Sequence, residues 1–168
     1  MAYHDHFKLA DDLIAHLDSI VAGVSDPFIS SRYVGFVAVV ATTVYELAIK
    51  EIFLEFSSRK HKVFGIFASR FFERLNGRIK TSEIRGNYLP RFGDTYLRKY
   101  EKLERHAETE SLRNTGSSVL SCYNNVVEWR NQFTHQGQIP TTASYHEVTR
   151  SYQCGKEVVH CLARALRR

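Results

Sequence analysis

The 168-residue chain is short of the residues that break or staple a fold. Three prolines and nine glycines exclude collagen-like repeats, low-complexity linkers and turn-rich β-sandwiches. Three cysteines, Cys122, Cys154 and Cys161, form no CxxC pair and are odd in number. That argues against a disulfide framework and for reduced thiols in a cytoplasmic protein. No run reaches the ~18 apolar residues of a membrane span. The longest, Val34 to Tyr45, is shorter and contains Gly35, Thr42 and Thr43, so no membrane association is expected. The first residues, MAYHDH, lack the basic stretch and apolar run of a secretion signal. P-loop, GxSxG, HExxH and GxGxxG patterns are missing too. No cofactor and no metal is therefore expected.

What is present is ordinary for a folded chain: 43% hydrophobic and 24% charged residues, which excludes a disordered tail. The length suits one domain over residues 1–168, burying roughly 70% of its unfolded surface. The net charge of +5 is unevenly spread. Residues 1–56 hold three basic and eight acidic side chains, residues 57–80 seven basic and one acidic, and residues 130–168 six basic and two acidic. Such polarity suits a polyanion, and equally a solvated basic face. Phe64, Phe67, Phe71 and Phe72 lie within the first basic segment at helical spacing, so core packing is favoured over base stacking for them.

Apolar spacing is helical nearly throughout. Phe7, Ala10, Leu13, Ile14, Leu17, Ile20, Val21 and Val24 predict a helix over Asp5–Val24. Asp26-Pro27 reads as a cap and first helical residue, opening a second helix to about Phe56; its β-branched middle also fits a strand, but the unbroken length favours a buried helix. A third is expected over His61–Asn76, stopped by Asn76-Gly77. Residues 78–93 read as irregular, with one helical turn before Pro90. Asp94 reads as the cap of a helix to Leu112, Ser117 or Ser118 as that of a helix to Gln136-Gly137, and Ser144-Tyr-His-Glu147 as a capping box for a last helix to Leu166. The fold class is all-α, a bundle of about five to seven helices.

One stretch carries chemistry: Glu128-Trp-Arg130-Asn131-Gln-Phe-Thr134-His135-Gln-Gly137. Val119, Leu120, Tyr123, Val126 and Val127 form an apolar stripe that runs on to Arg130 and Thr134. A guanidinium in line with a buried face has to meet an acid, a cleft or a subunit interface. Pairing with Glu128 is the plain structural alternative. His135 lies five residues on, about 140° round the helix, which separates the two side chains within one copy. Arginine with histidine suits phosphodiester chemistry: one neutralises the phosphorane oxygens, the other moves a proton. With eight histidines in the chain, an arginine four to six residues before a histidine arises about twice by chance. Requiring asparagine next to the arginine cuts this to roughly 0.08.

Arg130-Asn131-Gln-Phe-Thr-His135, at the end of the penultimate long helix, resembles the R-x4–6-H motif of HEPN domains, in which a polar residue, often asparagine, follows the arginine. The RiboL-PSP-HEPN group is one candidate within that family. The resemblance is carried by residues 117–166. It implies a helical bundle that dimerises about a two-fold. It also implies a metal-independent endoribonuclease cleft between protomers, with Arg130, His135 and Asn131 as catalytic residues. The reaction would be transesterification through the RNA 2′-hydroxyl. Toxin–antitoxin and antiviral defence settings are common in the family, so an antitoxin or another defence protein is an implied partner. Some members carry a tyrosine two residues after the histidine that a nucleotidyltransferase modifies; here that position is Gly137, so that form of control is not expected.

Two side chains are weaker candidates for support. Glu46 lies on a Thr42-Glu46-Lys50 row of the second helix, where family members often place a polar residue near the cleft, although an i,i+4 pair with Lys50 explains it as well. Thr134 sits beside His135 as a phosphate contact or a satisfied helix hydroxyl. His4 and His6 read as part of a flexible terminus rather than a metal site. Cys154 and Cys161 read as core residues of the last helix. Two other readings compete: a catalytically silent helical module that binds a protein or nucleotide, and a DNA-binding regulator, for which no clear helix-turn-helix is seen.

Overall fold

The structure, a computed structural model, describes residues 3–73, 75, 77–138 and 143–167. Among these the chain forms α1 (His4–Val21), α2 (Pro27–Lys60), α3 (Lys62–Phe72), α4 (Thr81–Glu83), α5 (Asp94–Thr115), α6 (Val119–His135) and α7 (Tyr145–Ala165), and no strand. The all-α expectation holds. Three helix starts follow from their caps. The Asp26 carboxylate accepts the Phe28 N–H at 2.8 Å, and the Ser118 hydroxyl accepts the Ser121 N–H at 3.0 Å. The Ser144 hydroxyl accepts the Glu147 N–H at 3.1 Å.

Other expectations need correction. Asp94 is the first residue of α5 rather than its cap, a position held by Gly93. The third helix ends at Phe72, and Asn76, the expected stop, lies outside the described residues. The stretch expected to be irregular is wound: α4 runs into a π-turn over Ile84–Tyr88 and a 3-10 turn over Leu89–Phe92. Tertiary packing drives this winding. Leu89 is buried, and the Phe92 ring stacks on Phe53 at 5.0 Å. His4 and His6 belong to α1 rather than to a flexible tail. Tyr3 is buried, and the His6 Nε2 atom meets the Glu51 carboxylate of α2 at 2.8 Å.

α2 is the axis of the bundle, flanked by α1, α3, α6 and α7. Tyr45 of α2 stacks on Tyr123 of α6 with centroids 4.9 Å apart, and its hydroxyl donates to the Tyr152 carbonyl of α7 at 2.6 Å. α7 reaches α6 almost backbone to backbone at Gly155: a Cβ there would stand 2.9 Å from the Tyr123 Cα. A second cluster, Phe53, Phe72, Phe92 and Tyr88, seats α3 and the turns after α4 on α2. Phe72 is buried, but Phe67, expected inside, is 63% exposed. Cys161 is buried and Cys154 half-buried. No described helix is long and apolar enough to cross a membrane.

Candidate functional site

The carboxyl-terminal turn of α6 holds Arg130, Asn131, Thr134 and His135. Two packing features fix it. Phe133 lies on Gly35 of α2, where a Cβ would stand only 2.2 Å from the ring's Cδ2 atom. On the other flank the segment from Gly77 to Thr81 is laced along α6. Tyr123 Oη donates to the Ile79 carbonyl at 2.7 Å, Asn124 Oδ1 accepts the Thr81 N–H at 3.2 Å, and Lys80 pairs with Glu128 at 2.8 Å. Glu128, the acid nearest Arg130 in sequence, is thus taken by Lys80.

Arg130 is half-buried and, among the described residues, forms no ion pair with a carboxylate. Its Nη1 atom donates to Asn131 Oδ1 at 3.1 Å and lies 3.1 Å from His135 Nε2. A guanidinium can only donate, so the latter contact is a hydrogen bond when Nε2 carries its lone pair. The two hydrogens of Nη1 are then used, while Nε and Nη2 keep three donors along the guanidinium's other edge. The 140° separation on the helix did not keep the two groups apart in one copy. The helical angle fixes where a side chain leaves the backbone, not where the end of a long arginine arrives.

Gly77 closes the guanidinium's flank. Its φ of 76° falls in the left-handed region, and a Cβ there would stand 3.0 Å from Arg130 Nη1, so glycine meets both demands. The Gly77 N–H donates to Glu46 Oε2 at 2.9 Å. Glu46 therefore reaches the site through Gly77, and no Glu46–Lys50 ion pair forms among the described residues. Thr134 donates its hydroxyl proton to the Arg130 carbonyl at 2.8 Å, the satisfied-hydroxyl alternative. The sequence reading missed Gly77, Gly35 and Phe133. The Asn-Gly pair was visible only as a helix stop, and nothing local signals that Gly35 and Phe133 meet.

A helical bundle whose penultimate long helix ends in this cluster has a match among known families. The RiboL-PSP-HEPN family model covers residues 5–168. The chain belongs to the RiboL-PSP-HEPN family. Comparison with curated proteins gave no match, and comparison with solved structures gave none. In this HEPN-family chain Arg130-Asn131-x-x-x-His135 lies at the end of α6, with Gly35 of α2 and Gly77 packed beside it. Among the described residues no group of three His, Cys, Asp or Glu side chains is arranged to hold a metal ion.

Proposed function

We propose that this HEPN domain is an endoribonuclease that cleaves RNA by transesterification at Arg130 and His135. The observation that carries the reading is the guanidinium without a carboxylate, hydrogen-bonded to an imidazole nitrogen of the family motif. A half-buried cation without a counter-charge is costly until an anion arrives. The anion of matching geometry is a phosphodiester, taken by the Nε and Nη2 edge of Arg130.

In the proposed reaction Nη1 swings from His135 to a phosphoryl oxygen. This frees the Nε2 lone pair. Nε2 takes the proton of the 2′-hydroxyl, the 2′-oxygen bonds to phosphorus, and the bond to the 5′-oxygen breaks. The leaving oxygen collects a proton from a second imidazole, that of a symmetry-related copy in a homodimer. Arg130 stabilises the charge that builds on the phosphorane, and Asn131 holds the guanidinium in place through Oδ1. Products are a 2′,3′-cyclic phosphate and a 5′-hydroxyl. DNA has no 2′-hydroxyl and survives. Glu46 acts indirectly, by holding Gly77 against Arg130.

The test is RNA cleavage by the purified chain in the presence of EDTA. We expect cleavage by the parent, none by His135→Ala, and intact DNA throughout. Undiminished RNA cleavage by a folded His135→Ala protein would defeat the reading. An inert parent would leave the family's other role, a docking module without catalysis.

A further inference from the structure

We infer that the site takes single-stranded RNA and stacks an unpaired base on an aromatic shelf formed by Phe36 and Phe133. This deepens the ribonuclease reading, on which its place in the fold rests, by naming the form of the substrate. Phe133 follows Arg130 by three residues, one turn on and about 60° round α6 toward α2. Gly35 lets its ring lie against the α2 backbone, since a Cβ there would clash with three ring carbons at 2.2–2.5 Å. Phe36 meets Phe133 edge to face at 5.6 Å, and Tyr33 stands 6.4 Å from Phe36. Phe36 is nevertheless 53% exposed. One turn before it, Arg32 is exposed and lies over the Phe28 ring at 4.9 Å.

A water-facing π surface therefore begins one helical turn from a guanidinium that lacks a counter-charge, with a second arginine at its edge. A nucleotide has that same pairing of charge and ring: a phosphate and, a few ångströms away, a flat base. A base inside a duplex is stacked on its neighbours and has no free face to offer, whereas an unpaired base does. Phe36 is a specificity residue in this account and takes no part in the proton transfers.

The experiment uses the full chain carrying His135→Ala, so that RNA survives, and a short single-stranded RNA with 2-aminopurine at its centre. Binding is read by anisotropy and stacking by quenching of the 2-aminopurine. We expect the His135→Ala protein to bind and quench. Adding Phe36→Ala should weaken binding about tenfold and abolish the quench, and adding Phe36→Trp instead should keep both. The same sequence as a duplex should bind more weakly than the single strand. Unchanged binding and quenching with Phe36→Ala, or a duplex bound as tightly as the single strand, would overturn the inference. So would conversion of a dimer to monomers by Phe36→Ala in light scattering, which assigns this face to a second copy. If the wild-type chain leaves RNA uncut while the Phe36-dependent quench persists, the cleavage reading fails and the shelf stands. If it cuts RNA and the quench does not depend on Phe36, the shelf fails alone.

Discussion

Replacing Gly155 by alanine adds one methyl group where α7 meets α6, and the structure says what that methyl strikes. Its Cβ would stand 2.6 Å from the Tyr45 hydroxyl and 2.9 Å from the Tyr123 Cα. The hydroxyl has little freedom, because it donates to the Tyr152 carbonyl at 2.6 Å inside the core. The Tyr123 backbone cannot turn aside as a side chain would. The methyl strains the α6–α7 contact at the tyrosine stack and also breaks the hydrogen bond. Overpacking a filled core costs about 1–3 kcal/mol, and a broken buried hydrogen bond adds about 1. The total, roughly 2–4 kcal/mol, should lower Tm by about 5–15 °C for a chain of this size. Thermal unfolding followed by circular dichroism reads it. Gly86→Ala is the control: its Cβ would meet nothing within 4 Å, and its effect should stay within about 0.5 kcal/mol. Tyr45→Phe removes the atom at 2.6 Å, so Gly155→Ala should cost less in that background, a coupling that the double-mutant cycle isolates. A Gly155→Ala protein melting within about 1 °C of the parent would refute the close packing and, with it, the placement of α6.

Two further predictions concern charge. Arg85 pairs at 2.7 Å with Glu104, which is buried and also accepts the Tyr100 hydroxyl at 2.9 Å. Arg85→Ala strands that carboxylate and should cost about 2–3 kcal/mol in urea unfolding. This is below the range for fully buried pairs, because the arginine is partly open to water; Glu104→Gln in the same background should recover part of the loss. Burial, aided by the charges of His4, Arg164 and Lys156 and opposed by Glu157, holds His160 below the ordinary imidazole value. The unfolded chain therefore binds that proton more readily than the folded one. Stability from this group is present above about pH 6.5 and is lost as the pH falls below it, until the lower folded value is passed. His160→Gln should flatten the acid-side decline in the urea midpoint, and an unaltered pH profile would remove His160 as its source.

How much of this was legible in the sequence depended on whether the cause was local. Asp26, Ser118 and Ser144 cap helices by bonding to amides two or three residues away, so a short window of sequence contains both partners. The winding of residues 81–92 was hidden because its partners are distant. Pro90 and Gly93 argue for a break, and the burial of Leu89 and the stacking of Phe92 on Phe53 of α2 override them. The His6–Glu51 contact, which ties the start of α1 to α2, joins residues too far apart for any periodicity to reveal. At the site, the residue types and their order were readable from Arg130 to His135. The separation expected from their helical angle was not the outcome, since the length of the arginine closes it. Gly77 and Gly35 act through what they lack, and a missing Cβ acquires meaning only once the Arg130 and Phe133 side chains are in place against it.

We propose that Arg130 and His135 act together on an RNA phosphodiester. Mapping the ends of RNA incubated with the purified chain in EDTA tests it most directly, with Arg130→Ala run beside it. The expected ends are a 2′,3′-cyclic phosphate and a 5′-hydroxyl, and Arg130→Ala should lower the rate at least about a hundredfold at nearly unchanged Tm. Ends bearing a 3′-hydroxyl and a 5′-phosphate, or cleavage indifferent to Arg130, would contradict it.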